Sequence, residues 1–261
     1  MDRISFFALI LSVTIYSAPT FSKQTQLNSI FSSKGLTGTL VIASLSADKL
    51  YIQNSKRAKQ DFSPASTFKI LNTLIALEEK AISDENEIIK WNGIKHSYPE
   101  WNRNHNLKTA FRASCVWCYQ ELAKRVGVEK YYKYLESTNY GSIKKQLSET
   151  EFWLNGSLTI NALEQINFLK SVYRKELPFS PLSYELLQKI MIIEETPEYT
   201  LRAKTGWVQQ SKPQTGWYIG YIETLRATWF FAMNIEVNKK NDLNYRQSIT
   251  REAFKILEIT E

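Results

Sequence analysis

The spacing of apolar positions changes twice along the chain. Gly38–Leu45 is a short, nearly continuous apolar run, the pattern of a buried strand. Lys49–Gln53 follows the Ser46-Ala47-Asp48 turn and reads as its hairpin partner. From Phe68 the period lengthens. Apolar side chains at 68, 70, 71, 74, 75 and 77 predict a buried helix over Ser66–Lys80. Leu107–Val126 also has helical spacing, interrupted at Ser114-Cys115-Val116, and further helices are predicted over Glu129–Leu135, Asn161–Tyr173 and Ser183–Ile193. The period then returns to that of strands at Tyr199–Lys204, Gly216–Glu223 and Thr228–Glu236. The last two read as a hairpin about Thr224-Leu225-Arg226-Ala227, and a helix from about Leu243 to Leu257 closes the chain. Polar, aromatic loops fill Asp84–Asn106 and Thr150–Ser157.

Strands at both ends and helices between them predict an α+β (mixed α/β) fold. One antiparallel sheet is built from both chain ends and flanked by terminal helices, with a helical lobe inserted. The sheet lobe takes about 23–62 and 195–261, and the helical lobe about 63–194. A cleft between lobes is where a ligand is expected.

At 261 residues, 43% of them hydrophobic, the chain can bury a large core as one domain or two interleaved lobes. Its formal charge of +7 suits an anionic small molecule, a nucleic acid or a membrane surface. No dense Lys/Arg block or nucleic-acid motif appears, so nucleic acid is not expected as a partner. Asp2-Arg3 precedes an apolar run from Ile4 to about Tyr16, shorter than the ~20 residues of a spanning helix. It reads as a secretory signal, residues 1–22, cleaved between Ala18 and Lys23, with an uncleaved anchor as the minor alternative. The mature chain, 23–261, is then expected to be exported to the periplasm or medium. There it would have no stable membrane association and act as a monomer or homodimer.

The two cysteines, Cys115 and Cys118, have C-x-x-C spacing, which serves redox motifs, half zinc sites or plain core. No second pair completes a metal set, and His96 and His105 are not in a zinc-type arrangement, so no metal is expected. A bridge inside a helix would be strained, so both thiols are expected reduced and buried.

Ser-x-x-Lys occurs at Ser46/Lys49, Ser66/Lys69 and Ser142/Lys145, but only Ser66/Lys69 leads into a long apolar helix. There the hydroxyl and amine share one face of a helix start, where free backbone N–H groups favour negative charge. That arrangement points to an activated serine nucleophile. Lys204-Thr205-Gly206 ends a predicted strand, and glycine there allows a ligand close to the backbone.

These elements occur in the order used by penicilloyl serine transferases. From about Gly38 to the C-terminus the chain resembles the class D, oxacillinase-type, serine β-lactamases. The resemblance rests on Pro64-Ala65-Ser66-Thr67-Phe68-Lys69, Ser114-x-Val116, Tyr140-Gly141, Phe152-Trp153-Leu154, Lys204-Thr205-Gly206-Trp207, Gly216-Trp217-x-x-Gly220 and Arg246. Glu151–Asn155 also fits a class A element, but the Ser-Asp-Asn triplet of class A is missing. Two positions depart from the class D pattern: Ser142 stands for the usual asparagine, which bears on substrate-edge contacts, and Trp117 for the usual proline.

The resemblance implies hydrolysis of β-lactam antibiotics through an acyl-enzyme on Ser66. It implies Lys69 as general base in the form of a carbamate (N6-carboxylysine), with CO2 or bicarbonate the only cofactor and Trp153 holding the carbamate. Ser114 would pass a proton to the lactam nitrogen with Lys204 in support. The backbone N–H groups of Ser66 and Trp207 would form the oxyanion hole. Thr205 and Arg246 would bind the substrate carboxylate beside Gly206, with Tyr98, Trp101 and Val116 as an apolar wall. A non-hydrolytic β-lactam sensor and a D,D-peptidase are the rival expectations. The sensor would need membrane spans and a protease domain, and the short helical lobe and Phe-Trp-Leu loop speak against the peptidase.

Overall fold

The computed structural model describes residues 18–46 and 48–260. In chain order it runs α1 (Ala18–Ser32), β1 (Gly38–Ser44), β2 (Leu50–Gln53), α2 (Ser55–Ala58), α3 (Lys69–Glu78), α4 (Leu107–Arg112), α5 (Val116–Val126) and α6 (Val128–Ser137). Then follow β3 (Ser142–Ile143), β4 (Leu158–Thr159), α7 (Ala162–Tyr173), α8 (Pro181–Ile190), β5 (Ile192–Glu195), β6 (Tyr199–Val208), β7 (Gln214–Thr224), β8 (Thr228–Val237) and α9 (Tyr245–Ile256). Single 3₁₀ turns precede α3 at Ala65–Phe68 and α9 at Lys240–Asn244.

Six strands form one antiparallel sheet in the order β2-β1-β8-β7-β6-β5, so strands from both chain ends lie side by side. Both faces are covered. Along β7, Trp217, Ile219 and Tyr221 join the core on the helical side, while Tyr218 and Ile222 join the core under α1 and α9. β8 alternates likewise, with Phe230 and Ala232 on one side and Phe231 and Met233 on the other. Burial on both faces is why these strands read as continuous apolar runs rather than as alternation.

α3 lies in the helical-side core, packed by α5 and α8. Phe68, Ile70, Leu71, Leu74 and Ile75 are fully buried, each such side chain contributing about 1.5–3 kcal/mol. The helix therefore has no outward face, and Lys69 is carried into the interior with it.

Several boundaries differ from the sequence expectations. The Leu107–Val126 region is two full helices, parted at the interruption expected there, where Ser114 takes a left-handed conformation (φ 54°). α8 starts at Pro181 under a Ser180 cap, and Ile192–Glu195, whose first two residues are expected as the end of that helix, is instead an edge strand against β6. Ile192 and Ile193 are β-branched and suit the strand. The apolar run from Ile4 to Tyr16 lies outside the described residues. Among the described residues no helix is long and apolar enough to cross a membrane.

One expectation is overturned. Cys115 and Cys118 are both buried, but they form a disulfide. A bridge between two residues inside a helix would be strained. Cys115 is instead the N-cap of α5, with non-helical backbone (φ −56°, ψ 114°), so the bridge spans a helix start with Cα atoms 5.5 Å apart.

Candidate active site

The outer end of β6 has an open side. β5 pairs with Thr200–Arg202 only, so the strand from Lys204 onward has no strand on that edge. The turn carrying Ser66 fills the space. A Cβ on Gly206 would lie 3.0 Å from Pro64 O and 3.3 Å from Thr67 N, so a side chain here would crowd the Ser66 turn, and glycine lets the two backbones approach this closely without displacement.

The Ser66 turn is held from several directions. Ala65 has a left-handed backbone (φ 47°), and its N–H donates to Trp153 O at 2.9 Å. The Thr67 hydroxyl donates to Pro64 O at 2.7 Å and accepts from Gln165 Nε2 at 3.0 Å. Trp217 Nε1 donates to Ser63 O at 3.0 Å. A residue pinned in this way can hold a sparsely populated conformation, as functional sites often do.

Lys69 Nζ stands 3.3 Å from Ser66 Oγ and 4.6 Å from the centre of the Tyr119 ring. Burial pushes its pKa down to about 7, because the ammonium form is cut off from water. The neutral amine, which can accept the Ser66 proton, is therefore accessible at neutral pH. Trp153 packs parallel to Phe68 with ring centroids 5.6 Å apart. Its indole Nε1 is buried and has no hydrogen-bond partner among the described residues.

Ser114 reaches the same cavity from the helical side. Its Oγ accepts from Lys204 Nζ at 2.7 Å, and Lys204 also donates to Thr205 O at 3.0 Å. Burial drives the Lys204 pKa well below its ordinary value, and the nearby charges of Lys69 and Arg246 push the same way. Arg246, at the start of α9, donates through Nη1 to Gly206 O at 2.7 Å and through Nε to Leu243 O at 2.7 Å. Burial lowers its pKa to about 10.

A cavity of about 490 Å³ opens between these groups. Ser66, Ser114, Val116, Thr205, Trp207 and Arg246 line it, with Gly206 at its strand edge. Tyr98 and Trp101, with ring centroids 4.7 Å apart, form its aromatic wall. Lys69, Trp153 and Lys204 are buried and do not line it. Each residue given a catalytic or substrate-binding role in the sequence is thus at the cavity or in the core around it. Ser142 is not among the lining residues. It pairs with Thr159 in the small β3–β4 ribbon, so the expected bearing of this position on substrate-edge contacts has no support here.

Leu154, Leu243 and Lys240 also line the cavity and had no role assigned from sequence. Leu154 closes the Phe152-Trp153-Leu154 element, and Leu243 lies three residues before Arg246, so both carried a usable signal. Nothing in the sequence marks Lys240.

His105 lies beside the disulfide, its ligand atom and the two sulfurs all within 4.8 Å of one another. The sulfurs are bonded to each other, and the two ring nitrogens contact Thr109 Oγ1 and Glu100 O at 3.2 and 3.0 Å. The cluster is therefore structural as it stands.

Residues 13–255 match the family model described as the penicillin binding protein transpeptidase domain. The chain is 36% identical over 259 residues to "Beta-lactamase OXA-48" of Klebsiella pneumoniae, covering 98% of both chains. It is 39% identical over 256 residues to "Beta-lactamase OXA-20" of Pseudomonas aeruginosa, covering 95% of both. Among solved structures, the class D β-lactamase YbXI from Nostoc superposes with a TM-score of 0.86 at 41% identity, covering 89% of this chain and 98% of that one. The class D enzyme FUS-1 of Fusobacterium nucleatum subsp. polymorphum gives 0.88 at 35% identity, covering 91% and 99%.

Proposed function

The chain belongs to the class D β-lactamases, and from that premise we propose that it opens β-lactams at Ser66 with Lys69 as the base for both halves of the reaction. The observation that carries this reading is the pairing of two hydroxyls with two buried amines around one cavity: Ser66 with Lys69 at 3.3 Å, and Ser114 with Lys204 at 2.7 Å. A hydroxyl needs a base to attack at neutral pH, and a leaving nitrogen needs an acid.

Ser66 Oγ attacks the lactam carbonyl carbon and gives its proton to Lys69. The carbonyl oxygen takes up negative charge facing the backbone N–H groups of Ser66 and Trp207; losing one such donor typically costs about 3–4 kcal/mol. The close packing of β6 on the Ser66 turn supports that pairing. As the C–N bond breaks, Ser114 passes its proton to the lactam nitrogen while Lys204 steadies the Ser114 oxygen, and the proton that Lys69 took from Ser66 replaces it, leaving Lys69 free to act as a base again. Arg246 and Thr205 fix the substrate carboxylate at the strand edge, while Tyr98, Trp101 and Val116 hold the apolar side group. Lys69 then draws a proton from water, which attacks the ester carbonyl, and returns that proton to the departing Ser66 oxygen as the ester C–O bond breaks.

Trp153 fits a Lys69 carbamate: its buried N–H lacks an acceptor, and its carbonyl is bonded to the residue before Ser66. Carried as a carbamate, Lys69 would offer an anionic oxygen base in place of an amine. Trp153 and the buried wall of α3 would hold it and keep water away. We read residues 1–22 as lost on export and 23–261 as the working unit, with sheet and helical lobes divided near 62 and 195.

Steady-state hydrolysis of a chromogenic β-lactam, with and without added bicarbonate, tests the reading. Many turnovers per enzyme, faster with bicarbonate, are expected. No hydrolysis by folded protein at saturating bicarbonate would refute it.

A further inference from the structure

The Ser114 oxygen sits on a residue with an unfavourable backbone. A non-glycine residue held at φ 54° costs on the order of 1–3 kcal/mol and persists only where its neighbours over-determine it. On the upstream side the anchors are clear. Ser114 N donates to Phe111 O at 3.1 Å and Cys115 N to Ala110 O at 2.9 Å, both in the last turn of α4. Trp101 Nε1 also grips Ala113 O at 3.0 Å, and Trp117 Nε1 grips Trp101 O at 2.9 Å in return.

On the downstream side Ser114 leads directly into the N-cap of α5. A helix N-cap normally holds its first turn with a side-chain oxygen that accepts from the N–H three residues on. Here the cap is Cys115, whose Sγ accepts from Cys118 N at 3.2 Å, and sulfur is a weak acceptor. The same two residues are joined by the disulfide. The covalent bond spans the N-cap and the third residue of the helix, closing the loop that a capping hydrogen bond would close. Both sulfurs are fully buried, and Cys118 lies in the core packed against α3. The bridge therefore ties the residue next to Ser114 to the interior.

We infer that the Cys115–Cys118 disulfide is a covalent helix cap that positions Ser114 for proton transfer to the lactam nitrogen, an inference that rests on the role proposed above for Ser114. The pair touches no substrate. It acts through Ser114, so it matters when the C–N bond breaks and not when water later attacks the ester. Its loss slows acylation selectively. A serine at position 115 restores part of the effect, because its oxygen makes the ordinary cap.

The test measures acylation and deacylation separately in the wild type, Cys115→Ala/Cys118→Ala, Cys115→Ser/Cys118→Ala and Ser114→Ala, with a melting curve for each. Intact mass should first show the wild type lighter than the reduced chain by two hydrogens. The double alanine variant should acylate about ten-fold more slowly, since small misplacements of a reacting group are costly. Its deacylation should stay within about two-fold, and the Cys115→Ser/Cys118→Ala variant should fall between. Equal acylation in the three cysteine forms would overturn the inference. So would a loss shared equally by both steps, which marks general loosening, or a wild type with two free thiols. If Ser114→Ala acylates normally, the role of Ser114 fails and the inference falls with it. If Ser114→Ala is slow and the double alanine variant is not, only the inference fails.

Discussion

Lys204 Nζ donates to Ser114 Oγ at 2.7 Å, joining the open edge of β6 to the break between α4 and α5. The two residues are 90 positions apart and come from opposite sides of the cavity. Lys204→Met removes the donor and leaves Ser114 without its partner. Acylation is expected to fall by about 10²-fold, in the range usual for a lost proton-transfer group. Ser114→Ala together with Lys204→Met should cost little more than either alone, because the two act as a unit. Pre-steady-state acylation rates for the four proteins of that cycle check this.

The second prediction concerns pH and Lys69. Its pKa falls from 10.5 to about 7 on burial. Between those values the unfolded chain holds a proton that the folded chain lacks, so this site's contribution to stability rises with pH. Below about 7 both states are protonated, and the full cost of the buried charge is present. Lys69→Met should therefore stabilise the protein by on the order of 1–3 kcal/mol at acid pH, and by less on approaching 10.5. Activity should fall as pH drops through about 7, because an ammonium neither accepts a proton nor takes up CO2. Urea melts of both proteins and a pH–rate profile of the wild type read the two effects.

Trp153→Ala should separate the two half-reactions in the opposite sense from Lys204→Met. Ser66 and Lys69 are adjacent without help from the indole, so acylation survives in part. Deacylation depends on a base held in place while water attacks, and the indole N–H is the buried donor available to hold it. The variant is expected to show a burst of about one equivalent and then slow turnover, partly rescued by bicarbonate. Stopped-flow traces at several bicarbonate concentrations measure it.

Arg246→Lys keeps the charge but loses the planar fork that spans Gly206 O and Leu243 O. Arginine and lysine are not equivalent at such a site. KM for penicillins should rise by about ten-fold with a smaller change in kcat, since carboxylate binding is shared by ground state and transition state. Steady-state kinetics on a substrate and on its carboxylate ester should show the penalty only for the free acid.

Much of this was legible before folding. The buried helix after Ser66 announced itself because every face of α3 is covered, which leaves a run of apolar residues that only a helix of the core explains. The strands of the central sheet were legible for the same reason. What escaped was conformation carried by single residues. Neither the left-handed backbone of Ala65 nor the N-cap role of Cys115 leaves a pattern in hydropathy. The disulfide follows from the second of these, because a helix N-cap with non-helical backbone can be bridged to the third residue of its helix. The edge strand Ile192–Glu195 escaped because four residues after a helix are too few to show their own period. Lys240 comes to the cavity only through the turn before α9, a tertiary accident of β8 ending beside β6's neighbour.

The most direct measurement is time-resolved intact mass of the protein with excess penicillin, for the wild type and Ser66→Ala. The wild type should show an adduct of the penicillin's mass that appears early and decays, while hydrolysed product passes many equivalents of enzyme. Ser66→Ala, folded by its melting curve, should show no adduct. An adduct that persists at one equivalent without product would make the protein a β-lactam trap rather than a hydrolase, and an adduct on Ser66→Ala would remove Ser66 as the nucleophile.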